Sequence, residues 1–286
     1  APSPAGCEQM KYADLQFIIH VYGYILYPFL LYFVCMKFKD YIESHQAFTT
    51  GDVYAIAAVE AAHTQLRRAV KSGKVERVRR GVYVSKTGKF TGEAPDPFLV
   101  ARTADPEAVI SYHSALVAHG VAHNVSFECA FRSAKVRSPF EYGGVRYVPY
   151  DLGDSPQTQA MRSRSYGTAS VTTREQTLVD CLTSPGRAGG AEETVRSCSA
   201  FPYLDIDVLL ETLGSAPAAV VARTGWLLET KQADWGVADE TLLSLEARLG
   251  NGPSKLDPKA KENRGWSPRW KLYLPEMEEE VLSWIS

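Results

Sequence analysis

The chain lacks the marks of a fibre, a disordered tail or a bundle of membrane spans. It has 286 residues, 45% hydrophobic and 22% charged, which is ordinary globular usage. No internal repeat or low-complexity tract is visible. Cysteine is scarce: Cys7, Cys35, Cys129, Cys181 and Cys198 are odd in number and none is spaced C-x-x-C. That argues against a disulfide framework and fits a reducing cytoplasm. There is no phosphate-binding P-loop, no G-x-S-x-G and no Cys–His signature. Gly143-Gly144 and Gly189-Gly190 read as turns. Nor does charge of one sign dominate, since 31 Lys/Arg face 33 Asp/Glu for a net of -2.

That balance hides a split. Met36 to Glu93 holds 11 Lys/Arg against 6 Asp/Glu, whereas Ala94 to Ser286 holds 19 against 25. A basic module followed by an acidic one suggests that one part meets a polyanion and the other does not. Three segments follow: an apolar extension over 1–35, a winged module over 36–93 and a larger body over 98–286.

The extension is the least decided. Leu15 to Met36 contains no Asp, Glu, Lys or Arg over 22 residues, enough to cross a hydrocarbon core. Lys37 and Lys39 follow it directly, and would hold the next domain on the cytoplasmic side. His20, Gly23, Pro28 and five tyrosines between Tyr12 and Tyr32 make it a mediocre span. The chain starts at Ala1, so a processed, partial or extended sequence is expected. Three readings stay open: an extraneous extension, a helix packed on the body or a partner copy, and a membrane anchor.

From Met36 the pattern is helix, helix-turn-helix, then a basic hairpin. Phe38, Tyr41 and Ile42 repeat at helical spacing. Thr49, with Asp52 three residues on, reads as an N-cap for a second helix over about Asp52–Ala62. His63-Thr64 is expected to end it, with Thr64 capping a third helix to about Lys71 whose inward face is Leu66 and Val70. After Ser72-Gly73 the period becomes two, and Arg80-Gly81 marks a turn. This is a winged helix-turn-helix. Nine Lys/Arg between Thr64 and Phe90 face only Glu76, so binding to phosphate is expected to be salt-sensitive. Thr64, Gln65, Arg67, Arg68 and Lys71 are the candidates for the major groove, and Lys74, Arg77, Arg79 and Arg80 for backbone or minor groove. A merely solvated basic face is the competing reading.

FTTGDV and QLRRAVKSGKVERVRRGVYV resemble the N-terminal domain of AbiEi-family antitoxins of type IV toxin–antitoxin systems. ISYHSALVAHG, TTREQTLVDCL, GRAGGAEETVRS and RTGWLLE resemble pieces of that family's C-terminal domain, so the likeness runs from about Met36 to Glu229. The resemblance implies an α+β protein and a cytoplasmic, phage-defence antitoxin. Such a protein represses its own operon as a transcriptional regulator at inverted repeats. It counters a nucleotidyltransferase-type toxin without a stable complex, and it dimerises or assembles cooperatively on DNA. The C-terminal domain would carry antitoxicity.

The body reads as mixed α+β and rich in helices. A helix over Ile110–Gly120, a strand near Phe127–Phe131 and a hairpin over Val136–Tyr150 come first. Thr173 then caps a helix that Ser184-Pro185-Gly186 ends, and further helices follow near 191–200, 205–213, 217–230 and 239–249. A late strand at Lys271–Leu274 and a helix at Met277–Ile285 complete it. Glu93 to Pro97 is expected to be a linker. Arg132, Lys135, Arg137, Arg146, Arg162 and Arg164 are a candidate basic surface, against scattered solvated charge.

The residues offer three weak pointers to catalysis. His113, His119 and His123 invite a metal, but His113 and His119 are six apart, so they do not share a helix face as i, i+4 ligands would, and no Cys or carboxylate sits nearby at ligand spacing. Glu229-Thr230-Lys231 with Asp205 or Asp207 mimics a nuclease carboxylate pair, yet both lie in helical patterns. Glu175 is explained by the positive first turn of its helix. The expectation is no enzyme, no metal and no cofactor. A stand-alone or membrane-tethered winged-helix regulator is the alternative.

Overall fold

The computed structural model describes residues 38–57, 59–153, 156–163 and 167–285. The extension 1–35 and Arg164 lie outside the described residues. The chain divides between Pro95 and Asp96 into two compact units.

In the first unit, Phe38–Ser44 forms α1 and Ala47–Thr49 forms β1. Gln46 to Phe48, expected only as a break, carries most of that strand because it pairs antiparallel with β3, Val82–Ser85. Thr49 then starts α2, Thr50–Ile56, through a reciprocal cap. Its Oγ1 accepts from the Asp52 backbone N–H at 3.2 Å, and the Asp52 carboxylate accepts from the Thr49 N–H at 2.7 Å.

The break between the second and third helices departs from expectation. It falls at Ala57, which is extended, and α3 runs from Val59 through His63-Thr64 to Lys71. Thr64 is therefore inside the helix and caps nothing. No glycine or proline signals this break in the Ala-rich stretch. Packing explains it. Val53 of α2 and Ala62 of α3 are both buried in one core. In an unbroken helix they would lie about two and a half turns apart, on opposite faces. Breaking at Ala57 turns both inward. The buried stripe of α3 is Ala62, Leu66 and Ala69, and Val70 is exposed instead of inward.

Past Lys71 the chain reverses through a Schellman motif. Gly73, at φ 70, donates to Val70 O, and Lys74 N–H donates to Ala69 O. β2, Val75–Arg79, then pairs with β3, giving the order β1-β3-β2. This is a winged helix-turn-helix around Tyr41, Ile42, Phe48, Val53, Leu66 and Val75.

Residues 93–96 form neither helix nor strand, and the first helix of the second unit follows them directly. Asp96 accepts from Phe98 N–H at 2.9 Å and caps α4, Pro97–Ala104. Val109–Ile110 is β4, so the helix expected from Ile110 starts later, as α5, His113–His119. Residues 109–116 are buried without interruption, and such a run has no period to separate strand from helix. Gly120, at φ 75, stops α5 as expected. Glu128–Arg132 is β5, and Phe140–Tyr142 and Val145–Tyr150 form the hairpin β6–β7. A second hairpin, β8 Thr158–Ser163 and β9 Gly167–Thr172, completes a mixed six-stranded sheet ordered β6-β7-β5-β4-β9-β8.

Helices then take over. Thr173 caps α6, Arg174–Thr183, by accepting from Gln176 N–H. The helices α7 Ala191–Ser199, α8 Ile206–Leu213, α9 Ala218–Thr230, α10 Gln232–Trp235 and α11 Asp239–Glu246 follow. A small sheet orders β10 Ser254–Lys255, β12 Leu272–Leu274 and β11 Gly265–Ser267 side by side, before α12, Glu278–Leu282. Leu178, Leu182, Val195, Leu209, Trp226, Leu227 and Trp270 share one core. Across the described residues the fold is mixed α+β.

Candidate nucleic-acid interface

The burial of Ala62, Leu66 and Ala69 fixes what α3 turns outward. Glu60, Thr64, Arg67, Arg68 and Lys71 fall opposite that stripe, at a period of 3.6 residues. Arg67, Arg68 and Lys71 are exposed and Thr64 is half-buried. Gln65 does not share this face. It sits on the flank of the helix, and its Oε1 is buried without a hydrogen-bond partner. Glu60 sits at the N-terminal end of the same row, so the positive character is concentrated in the last two turns. Tyr54 Oη and His63 Nε2, 2.7 Å apart, tie α2 to α3 and hold the angle between them.

The wing departs from simple alternation. Arg77 pairs with Tyr83 and Arg79 with Val82, so a bulge falls at Val78. That bulge changes which way the following side chains point. Lys74, Arg77 and Arg80 are exposed, whereas Arg79 is half-buried with Nη1 enclosed. Arg77 Nε donates to Arg79 O at 3.3 Å, which steadies the bulge. Gly81, at φ 79, completes the turn, and its carbonyl accepts from Thr50 N–H, joining the wing to the start of α2. Lys86 lies 3.9 Å from Glu76 on the same hairpin.

The candidate basic surface of the second unit is largely paired. Arg132 is mostly buried and donates to Asp180 at 2.7 Å, so it is no part of an exposed patch. Lys135 meets Asp105, Arg137 meets Asp151 and Arg146 meets Glu128. Arg162 is exposed.

The residues weighed for catalysis have structural partners. His113 Nε2 meets Glu193 at 3.2 Å, and His119 Nε2 donates to Thr172 O at 2.9 Å. Glu229 accepts from Arg269 Nη1 at 2.7 Å and from Trp270 Nε1 at 2.6 Å, while Lys231 pairs with Asp234. Asp205 caps α8, and Glu175 accepts from the Asp205 N–H. Among the described residues no group of three His, Cys, Asp or Glu is placed to hold a metal ion. Cys129, Cys181 and Cys198 are free and buried, and burial pushes the Cys129 and Cys181 thiols up. No helix of the described residues is long and apolar enough to cross a membrane.

Residues 39–86 match the family described as transcriptional regulator, AbiEi antitoxin. Comparison with curated proteins gives no match. Among solved structures, the chain is similar to the RV2827C protein from Mycobacterium tuberculosis, at 17% identity and a TM-score of 0.56. The likeness covers 84% of this chain and 89% of that one, and at this identity it speaks for the fold alone. Over those residues the winged unit is thus similar to the transcriptional regulators of the AbiEi antitoxin family.

Proposed function

We propose that this chain is the cytoplasmic antitoxin and autorepressor of a type IV toxin–antitoxin operon of the abortive-infection kind. The observation that carries the reading is the outward row Thr64, Arg67, Arg68 and Lys71 on α3, within a segment that matches the AbiEi family. In this reading α3 enters the major groove of inverted repeats upstream of the operon. Arg67 and Arg68 reach base edges or phosphates, and Lys74, Arg77 and Arg80 follow the backbone along the wing. Arg79 supports the wing from within. Two copies meet on the repeats. The second unit supplies antitoxicity against a nucleotidyltransferase-type toxin, without a stable complex, and performs no catalysis of its own.

Co-expression tests it. The neighbouring gene is expressed alone in a host, then together with this chain. Growth arrest relieved by the chain is the expected result. Toxicity without rescue would overturn the antitoxin reading and leave a plain repressor.

A further inference from the structure

The second unit contains a cavity of about 320 Å³, at the small end of the range for small-molecule sites. His113, Asn124, Ser126, Glu128, Arg187 and Glu193 line it. Its carboxylates are already answered by the chain. Glu193 accepts from Ser197 Oγ at 2.7 Å, from the His123 and Asn124 backbone N–H groups at 3.1 Å each, and from His113 Nε2. Glu128 lies 3.6 Å from Arg146.

The cations are not answered. Arg187 has no carboxylate within ion-pair distance among the described residues. Instead it donates Nη1 to Tyr112 Oη at 2.7 Å and lies over the rings of Tyr150 and Tyr112, 4.3 Å and 5.2 Å from their centroids. These contacts orient the guanidinium, whose charge also reaches the Asp180 carboxylate without forming an ion pair with it. Lys259 does not line the cavity but brings a second positive charge beside it. Its Nζ lies 2.9 Å from where a Cβ on Gly186 would sit, and Gly186 also lines the cavity.

The backbone is strained to make this arrangement. Tyr112 stands at φ 54, ψ -134, between β4 and α5. A non-glycine residue held there is strained and persists only where its surroundings enforce it. Here it sets the hydroxyl on Arg187. Next to it, His113 is 7% exposed, and its Nδ1 has no hydrogen-bond partner among the described residues.

We propose that this cavity binds a small molecule with a phosphate or carboxylate head. Arg187 and Lys259 hold the head by charge-assisted hydrogen bonds, and the rest of the molecule lies against His113, Asn124 and Ser126. The second unit thereby has a ligand site separate from the basic row of α3, and the proposal stands whether or not the chain is an antitoxin.

The test titrates the full chain with inorganic phosphate, adenosine monophosphate and acetate. The readout is the His113 imidazole signal in carbon–proton NMR, identified through His113→Gln. A saturable shift with a phosphate probe or with acetate is the expected result, and whichever head binds names the ligand class. Arg187→Gln and Lys259→Gln should each weaken binding about tenfold or more, and Lys259, an exposed side chain, should leave the melting temperature unchanged. No saturable shift from any probe up to about 10 mM would overturn the proposal, as would undiminished binding in both variants.

Discussion

The indole of Trp270 lies directly on the bare backbone of Gly225: a Cβ added to that glycine would fall inside the ring. Trp270 is fully buried, and its Nε1 donates to Glu229, one turn along the same helix from Gly225. One tryptophan thus accounts for both the glycine in α9 and the carboxylate four residues later. The Glu229-Thr230-Lys231 triplet is part of the packing of the helical core.

Gly225→Ala distinguishes packing from propensity. In a helix interior alanine is favoured over glycine by about 1 kcal/mol. Overpacking against Trp270 opposes this with about 1–3 kcal/mol. Thermal unfolding should therefore show a lower midpoint for the variant. A raised midpoint would contradict the contact.

Thr49→Ala should cost the winged unit about 1 kcal/mol, because it removes the oxygen that caps α2. Chemical denaturation followed by helical circular dichroism reads this loss. An unchanged midpoint would mean that the cap contributes nothing in solution.

His119 gives the second unit a pH dependence of defined sign. Burial lowers its pKa below the usual 6.5, with Arg174 adding to the effect and the hydrogen bond to Thr172 O opposing it. The unfolded chain therefore takes up the proton first as pH falls. Stability is fully present above about pH 6.5 and declines as pH drops toward the folded-state value. His119→Gln, whose amide can still donate to Thr172 O, should flatten that decline. An identical slope in the variant would assign the dependence to other groups.

Where side chains alternate or cap, the sequence is legible. Thr49, Thr173, Gly120 and the Tyr142–Val145 turn all stand where their chemistry places them. What was not legible depends on partners distant in sequence. The Ala57 break serves the shared burial of Val53 and Ala62, and nothing local marks it. β8 and β9 are polar and owe their pairing to the sheet edge they complete. For the site, Arg67, Arg68 and Lys71 could be read directly as an outward row. Gln65 stands on the flank of that row, and the bulge at Val78, which no local signal marks, leaves Arg79 half-buried. Arg187 went unnoticed, since only the folded chain stacks it on Tyr112 and Tyr150.

In the proposed function the outward row of α3 binds DNA. Fluorescence anisotropy of a duplex taken from upstream of the chain's own gene, measured between about 50 and 200 mM salt, tests it most directly. The unaltered protein should bind with a log–log salt slope of about -3 to -5, reflecting several neutralised phosphates. Arg67→Ala combined with Arg68→Ala, both exposed, should weaken binding about a hundredfold or more, make the slope shallower by about 2 and leave the melting temperature unchanged. Undiminished affinity and slope in that folded double variant would contradict the account.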